Sequence, residues 1–191
     1  NGKAGKIADT INALIFLLQK TIGDTHETVT LKTEIETLKN YMTIQQVRYG
    51  EGIKMSINMA DDLENVQIPK LLLQPLVENS IFHGFKDSNP QGTITIYATG
   101  KQNDLVIEVM DNGTGIPPEV LENLLSSDMA EERKKRFFGI GIKNVDERIK
   151  LLYGREYGLS IVSEVGIGTQ VTIRLPLMVQ NQQSFMKTGE L

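Results

Sequence analysis

Asp111-Asn112-Gly113-Thr114-Gly115 follows a strand-like run, Leu105 to Met110, and is answered downstream by a second glycine cluster, Gly139-Ile140-Gly141. An aspartate delivered to a strand end can accept a hydrogen bond from an exocyclic amino group such as that of adenine. Glycines beside it let the backbone turn sharply and approach a ligand closely. Taken alone the string has a plainer reading, because Asn-Gly pairs mark ordinary turns. With its companions it reads as a nucleotide pocket.

Composition bounds the possibilities. The 191 residues suffice for one ordinary domain with an appendage, and 40% apolar content can fill a sizeable core. Twenty basic residues stand against 24 acidic ones, with a pI near 5.3. That balance gives no basic footprint for wrapping nucleic acid or coating an anionic membrane. There is no cysteine, so disulfides and thiolate metal sites are excluded. No apolar run approaches the roughly 20 residues of a membrane helix, and the first residues do not read as a signal peptide.

Ile7, Ile11, Leu14, Ile15, Leu18 and Ile22 recur at helical spacing, so residues 4 to 22 are expected to form an amphipathic helix. Its apolar stripe can pack on the chain's own core or form the seam of a helical hairpin or dimer, and the sequence leaves both open. A loop is expected from Gly23 to Thr30. A second helix follows from Leu31 to about Tyr49, stopped by Gly50 and Gly52, and Ile53 to Met59 alternates as a strand. Pro69 can open a helical turn. Pro75 is expected to interrupt it, leaving Leu76 to His83 as the secure helical part, ended by Gly84. Thr93 to Ala98 and Leu105 to Met110 read as a hairpin across the turn Thr99 to Asp104. Pro117 and Pro118 start a short helix through Leu125. The charged stretch Ser126 to Phe138 is either a solvated segment or a lid over bound phosphates. Ile142, Val145, Ile149 and Leu152 mark a further helix, and its N-terminus beside the glycine cluster suits an anion. Leu159 to Glu164 and Thr169 to Leu175 close as a hairpin around Gly166-Ile167-Gly168, and a polar tail runs from about Val179.

Three segments therefore stand in order: QPLVENSIFHGF from Gln74 to Phe85, DNGTGI from Asp111 to Ile116, and GIGIKN from Gly139 to Asn144, with Gly168-Thr169 after them. The set resembles the ATP-binding domain shared by DNA gyrase, the heat-shock chaperones, the histidine kinases and the mismatch-repair ATPases. The LQPLVEN helix followed by HG resembles the LytS-type sensor histidine kinases most closely. The resemblance covers about residues 28 to 177. It implies an α+β fold, a two-layer sandwich with helices on one face of a mixed sheet, preceded by the amphipathic helix. It divides the chain into a remnant of the dimerisation and phosphoacceptor hairpin (1–25), an ATP-binding catalytic domain (26–178) and a tail (179–191).

The resemblance also implies roles. Asn79 would coordinate Mg²⁺ that bridges the ATP phosphates, with a buried structural amide as the plainer alternative. Asp111 would fix adenine, Thr169 would share a water or hydrogen bond with it, and Ile116 would pack on the ring. Gly113 and Gly115 would shape the base pocket, while Gly139 and Gly141 would admit the phosphates. Lys143 would add positive charge there or simply face solvent. His83, one of two histidines with His26, lies four residues after Asn79 and could touch ribose or phosphate, or merely cap its helix. Glu78 is a candidate for proton transfer or for orienting its neighbours. The phosphoacceptor of the family sits in an N-P-H-F motif, and no such string occurs here, so the histidine that receives the phosphoryl group is expected outside this chain. Expected partners are that helix in the same or a second protomer of a homodimer, and a response regulator; the parent is expected to be a membrane sensor with this part in the cytoplasm. Two departures stand out. Gyrase-like ATPases carry a carboxylate four residues before the metal-binding asparagine, where this chain has Pro75, so efficient hydrolysis is not expected. Phe82 replaces a lysine found in many relatives.

Overall fold

The computed structural model describes residues 2–23, 27–85, 91–124 and 140–178. Helix α1 (Gly2–Gly23) packs against helix α2 (Leu31–Tyr49). Ala13 is buried and Leu17 packs on the core, but Ile7, Ile11, Leu14, Ile15 and Leu18 are each about half exposed or more. Of the two fates open to that stripe, burial in the chain's own core is thus not the one adopted. Helix α2 starts where Thr30 turns its hydroxyl onto the Thr33 N–H at 3.1 Å, satisfying one of the donors a helix start leaves open.

The stretch before α2 is not wholly loop. Strand β1 (Thr28–Thr30) pairs antiparallel with β3 (Gln67–Pro69), with Val29 opposite Ile68. Pro69 thus ends a strand instead of opening a helical turn. Pro75 lies in the first turn of α3 (Gln74–Asn79), where a missing N–H costs nothing, and so starts the helix it was expected to interrupt. The last turn widens into a π-helix over Ser80–Gly84, with the Phe85 N–H reaching back to the Ser80 carbonyl at 3.1 Å.

The main sheet runs β2 (Ile53–Met59), β4 (Gly92–Lys101), β5 (Asp104–Asp111), β7 (Gly168–Pro176), β6 (Gly158–Glu164). Strand β2 pairs parallel with β4 and the other neighbours are antiparallel, so the sheet is mixed. The β4–β5 strands are longer than their alternation suggested, and the turn shrinks to Gln102 and Asn103. Ile94, Ile96, Leu105, Ile107, Val171 and Ile173 are fully or nearly fully buried on one face, while their sequence neighbours are more exposed. That period of two is the signature of a sheet covered on one side. The cover consists of α2, α3 and α5 (Ile140–Tyr153), through residues such as Leu38, Leu76 and Ile149. A short helix α4 (Pro118–Leu124) follows β5. The result is the expected two-layer α+β sandwich behind an N-terminal helix.

Candidate functional site

A cleft open to solvent lies between α3 and the ends of β5 and β7. Its lining includes Asn79, His83, Asp111, Gly115, Ile116 and Thr169, six of the residues singled out from the sequence. Asp111 and Thr169 are direct cross-strand partners on β5 and β7, which is why residues 58 positions apart face each other. The Asp111 carboxylate is held in place by the Gly113 N–H at 2.9 Å and the Ser80 hydroxyl at 2.8 Å. Both atoms donate, so the oxygens keep further lone pairs for a ligand. Gly113 passes so close to the next segment that a Cβ there would lie 2.7 Å from the Gly84 Cα. Gly115 adopts φ +69°, a conformation that costs glycine nothing, and Ile116 follows it, buried against the cleft.

The other end of the cleft is helical. Asn79 gives its amide N–H to the Pro75 carbonyl at 2.8 Å, one turn back, so the side-chain oxygen is the atom left to bind a ligand. A Cβ added at Gly141, near the start of α5, would meet Pro75 Cβ at 3.2 Å and Asn79 Nδ2 at 3.9 Å, so the two helices approach at this glycine. Glu78 does not line the cleft. Its carboxylate accepts from the Gln74 amide at 2.9 Å and from the Tyr41 hydroxyl, whose pKa is pushed well up by burial and then by this negative neighbour. Lys143 likewise lies outside the lining and pairs with Glu147 at 3.7 Å, one turn along α5. Gly139 and the charged stretch Ser126 to Phe138 lie outside the described residues.

Behind α3 and α5 is a junction that the sequence did not mark. Glu34 on α2, 2% exposed, accepts the N–H groups of Leu73 at 2.9 Å and Leu71 at 3.1 Å, just before α3. Burial raises its pKa above the ordinary value, against the opposing pull of those N–H groups. Arg148 on α5 donates to the Lys70 carbonyl at 2.7 Å and to that of Glu27 at 3.3 Å. Leu71 itself sits at φ +57°, a region leucine rarely enters, and the hydrogen bonds around it hold it there. Ser80 and Ser163 were also missed. The hairpin register sets Ser163 directly opposite Thr169, so the short Gly166-Ile167-Gly168 turn carried the signal that could have found it.

The family model of histidine kinase-, DNA gyrase B- and HSP90-like ATPases matches residues 64–179, more than half of the chain. The chain belongs to this ATPase family. Membership implies that it binds ATP. A histidine kinase family model matches residues 1–53 of this ATPase-family chain. Sensor histidine kinase YesM of Bacillus subtilis is 34% identical over 171 residues, 90% of this chain and 28% of that protein. Sensor protein LytS of Bacillus subtilis is 33% identical over 162 residues, 85% of this chain and 26% of that protein. The chain therefore spans under a third of these relatives. Among solved structures, the catalytic domain of histidine kinase ThkA superposes with a TM-score of 0.57 at 16% identity, covering 78% of this chain and 94% of that one. ThkA in complex with the response regulator protein TrrA gives 0.57 at 15% identity, covering 90% and 49%. At such identities the likeness is one of fold.

Whether the residues suit a Mg²⁺ ion can be tested on the donor set. No group of three acidic, histidine or cysteine side chains gathers among the described residues, so a cage made by the protein is absent there. Mg²⁺ on a nucleotide needs no such cage, since it keeps waters and takes one or two protein oxygens beside the phosphates. The Asn79 oxygen fits that demand. Among the described residues no helix is long and apolar enough to cross a membrane.

Proposed function

We propose that this chain is the catalytic, ATP-binding portion of a LytS-type sensor histidine kinase, which transfers the γ-phosphoryl of ATP to a histidine outside the chain. The observation that carries this reading is the pairing of Asp111 with Thr169 at one end of the cleft and Asn79 at the other. Asp111 accepts from the adenine amino group, Thr169 assists, and Ile116 packs on the ring. Asn79 offers its oxygen to Mg²⁺, which when bound neutralises phosphate charge. Gly141, with Gly139, leaves room for the phosphates at the start of α5, and Lys143 lends charge nearby. His83 is placed to reach ribose or phosphate. The bonds from Glu78 to Gln74 and Tyr41 favour an orienting role for it over proton transfer. The domain's work is then positioning and charge neutralisation, with the nucleophile supplied by another segment.

In this reading residues 1–25 are the second helix of a dimerisation hairpin, 26–178 the ATP-binding domain and 179–191 a tail. The exposed apolar stripe of α1 favours a homodimer seam in the parent. The complex of ThkA with TrrA supports a response regulator as the eventual acceptor. The parent is a membrane sensor whose cytoplasmic portion includes this chain. Hydrolysis by water is slow, because Pro75 occupies the position of the activating carboxylate and packs on Gly141. The test joins the upstream segment with its histidine to this chain and incubates the product with labelled ATP. Acid-labile, base-stable phosphate on the protein is the expected result. Nucleotide binding with no phosphorylation would instead leave a conformational module, and rapid phosphate release would restore a hydrolytic ATPase.

A further inference from the structure

Asn112-Gly113, directly after Asp111, carries a chemistry of its own. A glycine after an asparagine has no Cβ to shield its backbone nitrogen. In an unrestrained chain that nitrogen gives its proton to solvent base and attacks the asparagine Cγ. The side-chain nitrogen leaves as ammonia and a five-membered succinimide closes. Water then opens the ring in one of two ways. Attack at Cγ restores the peptide bond and leaves aspartate. Attack at the asparagine's main-chain carbonyl breaks the original peptide bond, so the chain runs on through the former side chain as isoaspartate, one carbon longer. Either way, one water is consumed and one ammonia released.

In the fold each group this reaction needs is engaged. The Gly113 N–H donates to the Asp111 carboxylate at 2.9 Å, and a negative charge there opposes loss of the proton. Asn112 Oδ1 accepts the Thr93 N–H at 2.7 Å, and the Asn112 N–H reaches the Thr93 carbonyl at 3.3 Å, so the residue is tied to the start of β4 through side chain and backbone. Asn112 is exposed but Gly113 is buried, pressed on the Gly84 backbone and followed by the 3.0 Å bond from the Thr114 N–H to the Gly84 carbonyl.

We propose that Asn112-Gly113 is a latent modification site which the folded turn keeps closed, and that its isoaspartate product disables the cleft whereas its aspartate product does not. Aspartate keeps the chain length, and its carboxylate accepts the Thr93 N–H as the amide did. Isoaspartate sets an extra carbon between Asp111 and Gly113, and the bonds to Asp111 and Gly84 cannot both be kept. The loss of binding rests on the reading above that nucleotide docks at Asp111; the reaction rates do not.

The test incubates the full chain at mildly alkaline pH, in buffer and in guanidinium chloride. Peptide mapping follows isoaspartate at position 112 separately from that at Asn1-Gly2, the chain's other Asn-Gly pair. Position 112 should react at least about tenfold more slowly in buffer, because reaction waits for an opening that breaks the bonds around it. Equal rates overturn the proposal, as does a denatured chain that stays unmodified at 112. The isoaspartate-bearing chain, refolded, should bind Mg-ADP at least about tenfold more weakly than wild type, as the loss of one or two such bonds at the site predicts. Conversion to aspartate by an isoaspartyl methyltransferase should restore binding. Asn112→Asp should bind as wild type does, and a loss there equal to that of the isoaspartate chain would assign the effect to charge and overturn the proposal. Should the isoaspartate chain not refold, the two rates and the Asn112→Asp titration decide. Failure of the underlying reading looks different: Asp111→Asn would then bind Mg-ADP as wild type does, with the difference in rates intact.

Discussion

Replacing Asp111 by asparagine keeps the side chain's shape and removes its charge. In the fold the carboxylate accepts from the Gly113 N–H and the Ser80 hydroxyl. The amide oxygen can stay with Gly113, whose N–H has a fixed direction. Ser80 can rotate to accept from the new amide N–H, because the Leu76 carbonyl lies 3.4 Å away to take its proton. The cost to stability is then about 1 kcal/mol, the difference between a charge-assisted and a neutral hydrogen bond. For a chain of this size that lowers Tm by about 2–4 °C. The ligand fares worse. Losing the charge takes about 1 kcal/mol from the bond to the adenine amino group, and setting an amide donor against that donor adds about 1–3 kcal/mol. Together these predict ADP binding about 30-fold to several hundredfold weaker. Calorimetric titration with Mg-ADP and a non-hydrolysable ATP analogue, beside a melting curve, measures both quantities. Binding within threefold of wild type would show that the base is recognised elsewhere. A fall in Tm of 10 °C or more, about what losing several such bonds would give, would show that the carboxylate chiefly holds the fold.

Asn79→Ala should abolish the part of the nucleotide affinity that depends on Mg²⁺ and leave adenosine binding unchanged, which paired titrations with and without the metal would show. Gly113→Ala drives a methyl group into the Gly84 backbone on a segment that cannot yield without breaking the 3.0 Å bond from the Thr114 N–H to the Gly84 carbonyl. It should cost about 1–3 kcal/mol in a denaturant melt, as overpacking typically does. Glu34 gives a pH signature. Its folded pKa is raised by burial, so the folded chain holds that proton to higher pH than the unfolded one, and stability present below the ordinary 4.5 is lost as pH rises through the folded value. The stability of wild type minus that of Glu34→Gln should therefore fall as pH rises above 4.5 in denaturant titrations, and a flat difference would contradict the raised pKa.

The elements that carry long periodic patterns were legible from the residues alone. Helix α2 ends at Tyr49 as its following glycines suggest, and the alternation in β5 delivers Asp111 to a strand end. The pair β1–β3 was not legible, because three residues in each strand give alternation no room to register. Proline was misread twice for one reason: its effect depends on whether its missing N–H would have had a partner, and at Pro69 and Pro75 the fold asks for none. Glu34 looked like any acidic residue of a solvated helix. Its partners are backbone N–H groups 37 and 39 positions away, and backbone leaves no trace in side-chain identity. Lys143 shows the converse, since the Glu147 that engages it sits at the i+4 spacing visible in the sequence.

The junction at residues 70–73 gives the cleft an asymmetry between its two ends. At the Asp111 end the layers are stitched directly, Ser80 to Asp111 and the Thr114 N–H to the Gly84 carbonyl. At the Asn79 end α3 and α5 meet by the close apposition of Pro75 and Gly141, and each is moored to the 70–73 segment, α3 as its direct continuation and with Glu34 gripping it from α2, α5 through Arg148. The cleft is thus built like a book with its spine beside Asp111. Its covers are tied to α2 and α5, so a shift of the α1–α2 pair would be felt at the Asn79 end of the cleft while the spine stays sewn.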